Sequence, residues 1–153
     1  MPSMSWLIHK LKTDYPSFTF SESEDFSWSA HQQTVSYNPH LPHAPLLLLH
    51  EVSHALLDHH EYRRDIELIS MEVAAWEKAQ KLASMYGIQP NEDVTQDHLD
   101  TYRDWLHSRS TCPDCKATGY QTASVQYQCP ACTHRWKVNE ARVCALRRYS
   151  VTT

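Results

Sequence analysis

The chain has 153 residues, 41% hydrophobic and 10% aromatic, with a formal net charge of −4. That is material for one domain, or a small domain with an appendage, and it excludes wholesale disorder. Only two glycines occur, Gly87 and Gly119, so neither a GxGxxG fingerprint nor a Walker A loop can be written from the sequence.

The opening MPSMSWLIHKLKTDYP lacks the apolar core of roughly 7–15 residues that a secretory signal needs. No stretch approaches the roughly 20 apolar residues of a membrane span. The expectation is a soluble, cytoplasmic protein with no membrane attachment. Its five cysteines are then read as metal ligands or free thiols before disulfides.

Residues 3–12 suit a short amphipathic helix with Trp6, Leu7 and Leu11 on one side. From Ser17 to Asn38 the alternation in SFTF, FSWSA and TVSY predicts strands. Pro39, Pro42 and Pro45 then interrupt the chain and predict a helix start near Pro45 or Leu46. That helix, to about Asp58, is apolar nearly all round, as a buried helix would be. A second long helix is expected from about Asp65 to Tyr86, ended by Gly87 and Pro90, and a further one from about Thr95 to His107.

Within the apolar helix the sequence reads LLLLHEVSHALL, residues 46–57. Burying ionisable groups without partners costs several kcal/mol on transfer scales, so His50, Glu51 and His54 need a compensating partner. On a helix His50 and His54 project from one face, which offers two imidazoles to one zinc ion. Glu51 falls beside that ion, where it can take a proton from a bound water as general base. Zinc brings the pKa of such a water toward about 7.

The third ligand decides the class of site. His60 stands where H-E-x-x-H-x-x-G-x-x-H has its last histidine, but Leu57 stands where that pattern needs a helix-breaking glycine. The alternative is a carboxylate from the next helix, where Glu67, Glu72 and Glu77 compete. Glu67 lies near Arg63 and Arg64, and Glu77 precedes Gln80 and Lys81. Glu72 has Leu68, Ile69, Ala75 and Trp76 as its helix-face neighbours and points into an apolar face. Glu72 is therefore the expected third ligand.

Residues 112–132 read CPDCKATGYQTASVQYQCPAC. Two C-x-x-C knuckles, Cys112/Cys115 and Cys129/Cys132, predict a closed four-thiolate zinc site of structural type. YQTASVQYQ alternates like a strand and HRWKV supplies another, the pattern of a zinc ribbon. Cys144 is left over as a packed or free thiol. Charge changes at the same place. Residues 1–108 carry 7 Lys+Arg against 16 Asp+Glu, whereas residues 109–153 carry 7 against 2. Arg135, Lys137, Arg142, Arg147 and Arg148, interleaved with Trp136 and Tyr149, make a basic tail that could contact nucleic acid or an acidic protein. At a balance of only +5, a solvated surface or one docked on the acidic first domain is the preferred reading.

The strand segments ahead of LLHEVSHALL, followed by MEVAAW in an E-x-x-A pattern, resemble the small gluzincin-type metallopeptidases of the ImmA/IrrE-like group over roughly residues 17–86. The resemblance implies an α+β fold with a minimal zincin-like core. That core is a short antiparallel sheet, the HExxH helix and a second ligand-bearing helix. With the boundary placed at the charge change near Ser108–Ser110, it implies a metallopeptidase-like domain over 1–108, followed by the cysteine ribbon with its basic tail over 109–153. It further implies His50, His54 and Glu72 as ligands of a catalytic zinc, Glu51 as general base, and a protein or peptide substrate. A terminal four-cysteine module is more usual in SprT-like metallopeptidases, which take a third histidine from a downstream helix. His98 and His107 are the downstream histidines here. That runner-up would direct activity to DNA-associated proteins. A different class of function is a non-catalytic module in which the ribbon binds protein or nucleic acid on a metallopeptidase scaffold. For an enzyme, the oxyanion donor is sought among Tyr62, His59 and His60.

Overall fold

Ser3 begins the first regular element by accepting the Trp6 N–H on its hydroxyl at 3.1 Å, the capping role for which short polar side chains are suited. The computed structural model describes residues 2–139 and the backbone of 148–150. The fold is α+β, and the chain divides into two compact units, Met1–Glu61 with Met71–Thr95, and Tyr62–Ser70 with Gln96–Thr153.

In the first unit, α1 (Met4–Asp14) buries Leu7 and Leu11. Strands β1 (Thr19–Glu22), β2 (Ser27–Ser29) and β3 (Thr34–Tyr37) form a sheet in the order β1-β3-β2. The expected antiparallel sheet is in fact mixed: β2 runs antiparallel to β3, but β1 runs parallel to it. The chain leaves β1, passes to the far edge as β2, and returns through the centre as β3. This route brings Phe20, Val35 and Trp28 into register across the sheet, with Val35 fully buried. Alternating side chains let one face of each short strand supply the apolar contact.

Helix α2 (Ala44–Leu56) starts with Pro45 in its first turn and buries Leu46, Leu48, Leu49, Val52 and Ala55, packing on β2 and β3. It ends in a Schellman arrangement. Asp58 adopts a left-handed conformation, φ 54°; its N–H reaches Ala55 O at 3.1 Å and the His59 N–H reaches His54 O at 3.0 Å. Helix α3 (Asp65–Met85) belongs to this unit from Met71 onward and buries Ala75, Trp76, Ala79, Leu82 and Ala83. Its end follows the glycine expected from the sequence: Gly87 has φ 69°, and the Ile88 N–H bonds Ala83 O at 2.8 Å.

The second unit holds the start of α3 and most of α4 (Glu92–Ser110). It also holds an antiparallel sheet of β4 (Tyr120–Ala123), β5 (Gln126–Gln128), β6 (Arg135–Val138) and β7 (Arg148–Ser150), in that order. YQTASVQYQ is thus a hairpin, not one strand. The register shifts between Gln121 and Ala123, and the Gln121 amide donates to Ser124 O at 3.0 Å, closing the turn. Cys112, Tyr127, Cys129, Trp136 and Val138 make the core of this sheet.

Two constraints hold that core. Trp136 stacks on Tyr127 at 5.8 Å between ring centroids, and its Nε1–H donates to Arg109 O at 2.9 Å. Gly119 lies against it so closely that a Cβ there would stand 2.4 Å from Trp136 Cη2 and 3.0 Å from Gln128 O. Beside it is a buried ion pair: Arg109 Nε donates to Asp65 Oδ2 at 2.8 Å, and each residue is 2% exposed. Tyr127 donates its hydroxyl to the same carboxylate oxygen at 2.5 Å. Burial, then Asp65, push the Tyr127 pKa upward, which keeps it a donor. The Arg109 guanidinium also lies 4.6 Å from the Trp105 ring centre and donates to Asn139 O.

Among the described residues no helix is long and apolar enough to cross a membrane. Gly119→Ala is expected to destabilise the chain by about 1–3 kcal/mol through overpacking. Asp65→Ala, which leaves the Arg109 charge buried without its carboxylate, should cost about 3–5 kcal/mol. Denaturant unfolding of each variant checks both values, and wild-type stability in either would contradict the packing or the pairing described.

Candidate metal centres

α2 places His50 and His54 one turn apart, both 7% exposed, and α3 brings Glu72, 4% exposed, to meet them. His50 Nε2 lies 2.8 Å from Glu72 Oε2, His54 Nε2 lies 3.2 Å from Glu72 Oε1, and the two Nε2 atoms are 3.1 Å apart. Burial raises the pKa of the Glu72 carboxyl, but hydrogen bonds from His50 and His54 outweigh it and hold that pKa well below the usual carboxylate range. Three converging donor atoms from two His and one carboxylate are a donor set that zinc accepts. Ligands about 2.0–2.1 Å from a tetrahedral ion stand about 3.3 Å apart, close to the separations here. The residues therefore fit the ion.

Glu51 is outside the converging set. Its Oε1 lies 3.7 Å from His50 Nδ1, and its side chain is 13% exposed. Burial raises its pKa, while His50 and His54 pull the other way. A carboxylate next to the donor set, but not in it, is free to act on protons.

The two imidazoles are held from outside by different means. The Trp76 indole stacks on His50 at 4.2 Å and 9°. His54 Nδ1 faces His59 Nδ1 at 2.9 Å. Burial, then the His54 charge, lower the His59 pKa. The sequence named Trp76 only as an apolar neighbour of Glu72 and His59 only as an oxyanion candidate. The stacking role was legible in principle, because position 76 shares a helix face with 72. The His59 contact depends on the Asp58 backbone, for which no glycine gave a signal.

The second group is Cys112, Cys115, Cys129 and Cys132, whose sulfurs lie within 4.8 Å of one another. All four are free cysteines. Cys112 Sγ is 3.6 Å from Cys132 Sγ and Cys115 Sγ is 3.4 Å from Cys129 Sγ. Thiolates about 2.3 Å from a tetrahedral zinc would stand about 3.8 Å apart, so this group fits zinc as well. The knuckles are built alike. Cys115 N and Cys132 N donate to the sulfurs of Cys112 and Cys129 at 3.5 and 3.4 Å. Lys116 N and Thr133 N bond Cys112 O and Cys129 O at 3.0 and 3.1 Å. Backbone N–H groups of Cys132 and then Ala131 help bring the Cys129 thiol down to about 7, against burial. Amide donors of this kind favour the thiolate that a metal requires.

His60, His98 and His107 are exposed and outside both groups. Of the basic tail, Arg135 and Lys137 lie on β6. Arg142, Cys144 and Arg147 lie outside the described residues, as do the side chains of Arg148 and Tyr149.

The gently purified chain is expected to carry two zinc ions. Glu72→Ala should lose one and keep the cysteine-held ion, while His60→Ala keeps both. Elemental analysis of the three proteins checks this. A single zinc in the wild type, unaffected by replacing His50, would remove the histidine group from consideration.

Comparison with known protein families, with curated proteins and with solved structures finds no match, so the functional reading of this chain rests on its two convergent groups of side chains.

Proposed function

We propose that the chain is a zinc-dependent endopeptidase of the gluzincin type, with its catalytic ion held by His50, His54 and Glu72 and a second, structural zinc held by the four cysteines. The observation that carries this is the convergence of two imidazoles and one buried carboxylate, with a second carboxylate alongside. When bound in such a site, zinc acidifies a water and polarises a carbonyl.

The chain's own residues would then divide the work. His50, His54 and Glu72 would supply three ligands to the ion, the number that catalytic zinc sites draw from the protein. Glu51 accepts a proton from the attacking water and delivers it to the departing amine. Burial, which raises its pKa, makes the carboxylate a stronger base toward that water and lets it hold the proton until the amine takes it. The four thiols leave no open position, which suits a structural role.

The ligand set favours this reading over a SprT-like one, because Glu72, not His98 or His107, meets the two histidines. The remaining competitor is a binding module that keeps the scaffold without the chemistry. Glu51 weighs against it, since a scaffold needs the ligands but not a base beside them.

Glu51→Gln tests the proposal. The variant should retain both zinc ions, yet cleave a peptide library about 10²–10⁴-fold more slowly than wild type, the loss typical of a missing general base. Mass spectrometry of the products reads the outcome. Equal cleavage by both proteins removes Glu51 from the mechanism, and no cleavage by the fully loaded wild type favours the scaffold.

A further inference from the structure

We infer that His59 is a positioning residue that sets the tautomer and ring plane of His54, an inference that rests on His54 being a metal ligand. The argument begins with how α2 ends. In a Schellman motif the residue two past the helix cap folds back over the one three residues before that cap. Those residues are His59 and His54 here: the His59 N–H bonds His54 O at 3.0 Å, and the left-handed Asp58 makes the turn between them. The usual companion of this motif is a hydrophobic contact. This chain puts imidazole on imidazole, with ring centres 5.1 Å apart and Nδ1 facing Nδ1 at 2.9 Å.

The proton arithmetic has one solution. His54 directs Nε2 into the donor cluster, 3.2 Å from Glu72 Oε1 and 3.1 Å from His50 Nε2. An imidazole that gives its Nε2 lone pair to a metal carries its hydrogen on Nδ1 and donates it outward. The acceptor is His59 Nδ1, so the His59 hydrogen sits on Nε2. Ligating histidines usually donate to a carboxylate, a backbone carbonyl or water. A neutral imidazole does the same work without adding a third negative charge beside Glu51 and Glu72.

His59 is itself fixed. Trp28 on β2 donates its indole N–H to His59 O at 3.0 Å, and the Trp28 ring meets Phe18 edge-on at 5.4 Å. The sheet thus anchors the backbone that carries the acceptor, and the acceptor aims the ligand. Among the described residues His50 has no equivalent partner: its ring is held by stacking on Trp76, and Glu51 Oε1 is 3.7 Å from its Nδ1, too far for a hydrogen bond.

Two variants of the full chain separate the acceptor from the packing. His59→Phe keeps a ring but loses the acceptor, whereas His59→Asn places an amide oxygen where Nδ1 stands. Zinc affinity is read by titration with a chromophoric chelator, with the cysteine-held zinc as an internal control for folding. His59→Phe should bind the histidine-site zinc about 10–100-fold more weakly, the usual cost of losing an outer partner. His59→Asn should recover most of the wild-type affinity, and the cysteine site should be unchanged in both. Wild-type affinity in His59→Phe, or equal weakness in both variants, overturns the inference while leaving the metal reading in place. A wild type with no zinc beyond the cysteine-held ion overturns the metal reading and this inference together.

Discussion

The Glu72 carboxylate, 4% exposed and facing two imidazoles, is the constraint about which the first unit is arranged. Removing a carboxylate from water is tolerated only when strong, well-directed partners meet it. Those partners are on α2, so α2 must lie with its histidine face toward α3. It can do so because its other faces are Leu, Val and Ala packed on β2 and β3. The sheet needs little of its own beyond Phe20, Val35 and Trp28 in register. Every element of this unit is therefore either a carrier of the cluster or a support for a carrier.

The second unit follows a different logic. Its sheet is small, and its interior is closed by a polar network whose members are mutually satisfied: Asp65 accepts from Arg109 and Tyr127, and Arg109 also reaches Asn139 O. Fully paired networks of this kind add specificity at a desolvation cost, and losing one member is far worse than never having had it. The cysteine module is part of this interior: Cys112 and Cys129 share the cluster of Tyr127 and Trp136.

What the sequence disclosed was whatever repeats with a short period or a fixed spacing. The histidine pair, the two cysteine knuckles and the helical register that aims Glu72 at the core are of that type, as are the helices and the Gly87 terminus. What it withheld depends on distant partners or on backbone angles without a residue signature. Parallel pairing of β1 with β3 is set by the route through β2, which alternation does not encode. The left-handed turn at Asp58 has no glycine to mark it, and the hairpin in YQTASVQYQ has none either. The pairing of Asp65 with Arg109 spans 44 residues and left no local trace.

Each cysteine knuckle closes on an exposed residue held in left-handed conformation, Lys116 at φ 69° and Thr133 at φ 64°. Glycine enters that region without steric penalty, whereas a side chain costs on the order of 1–2 kcal/mol, and a β-branched one is the least suited of all. Threonine at position 133 is therefore a poor occupant of a place where shape alone would select glycine. The module still forms because its thiols, amide donors and buried tryptophan over-determine the turn. Glycine at either solvent-facing position would relieve that cost, and the gain would offset a damaging change elsewhere in the same unit.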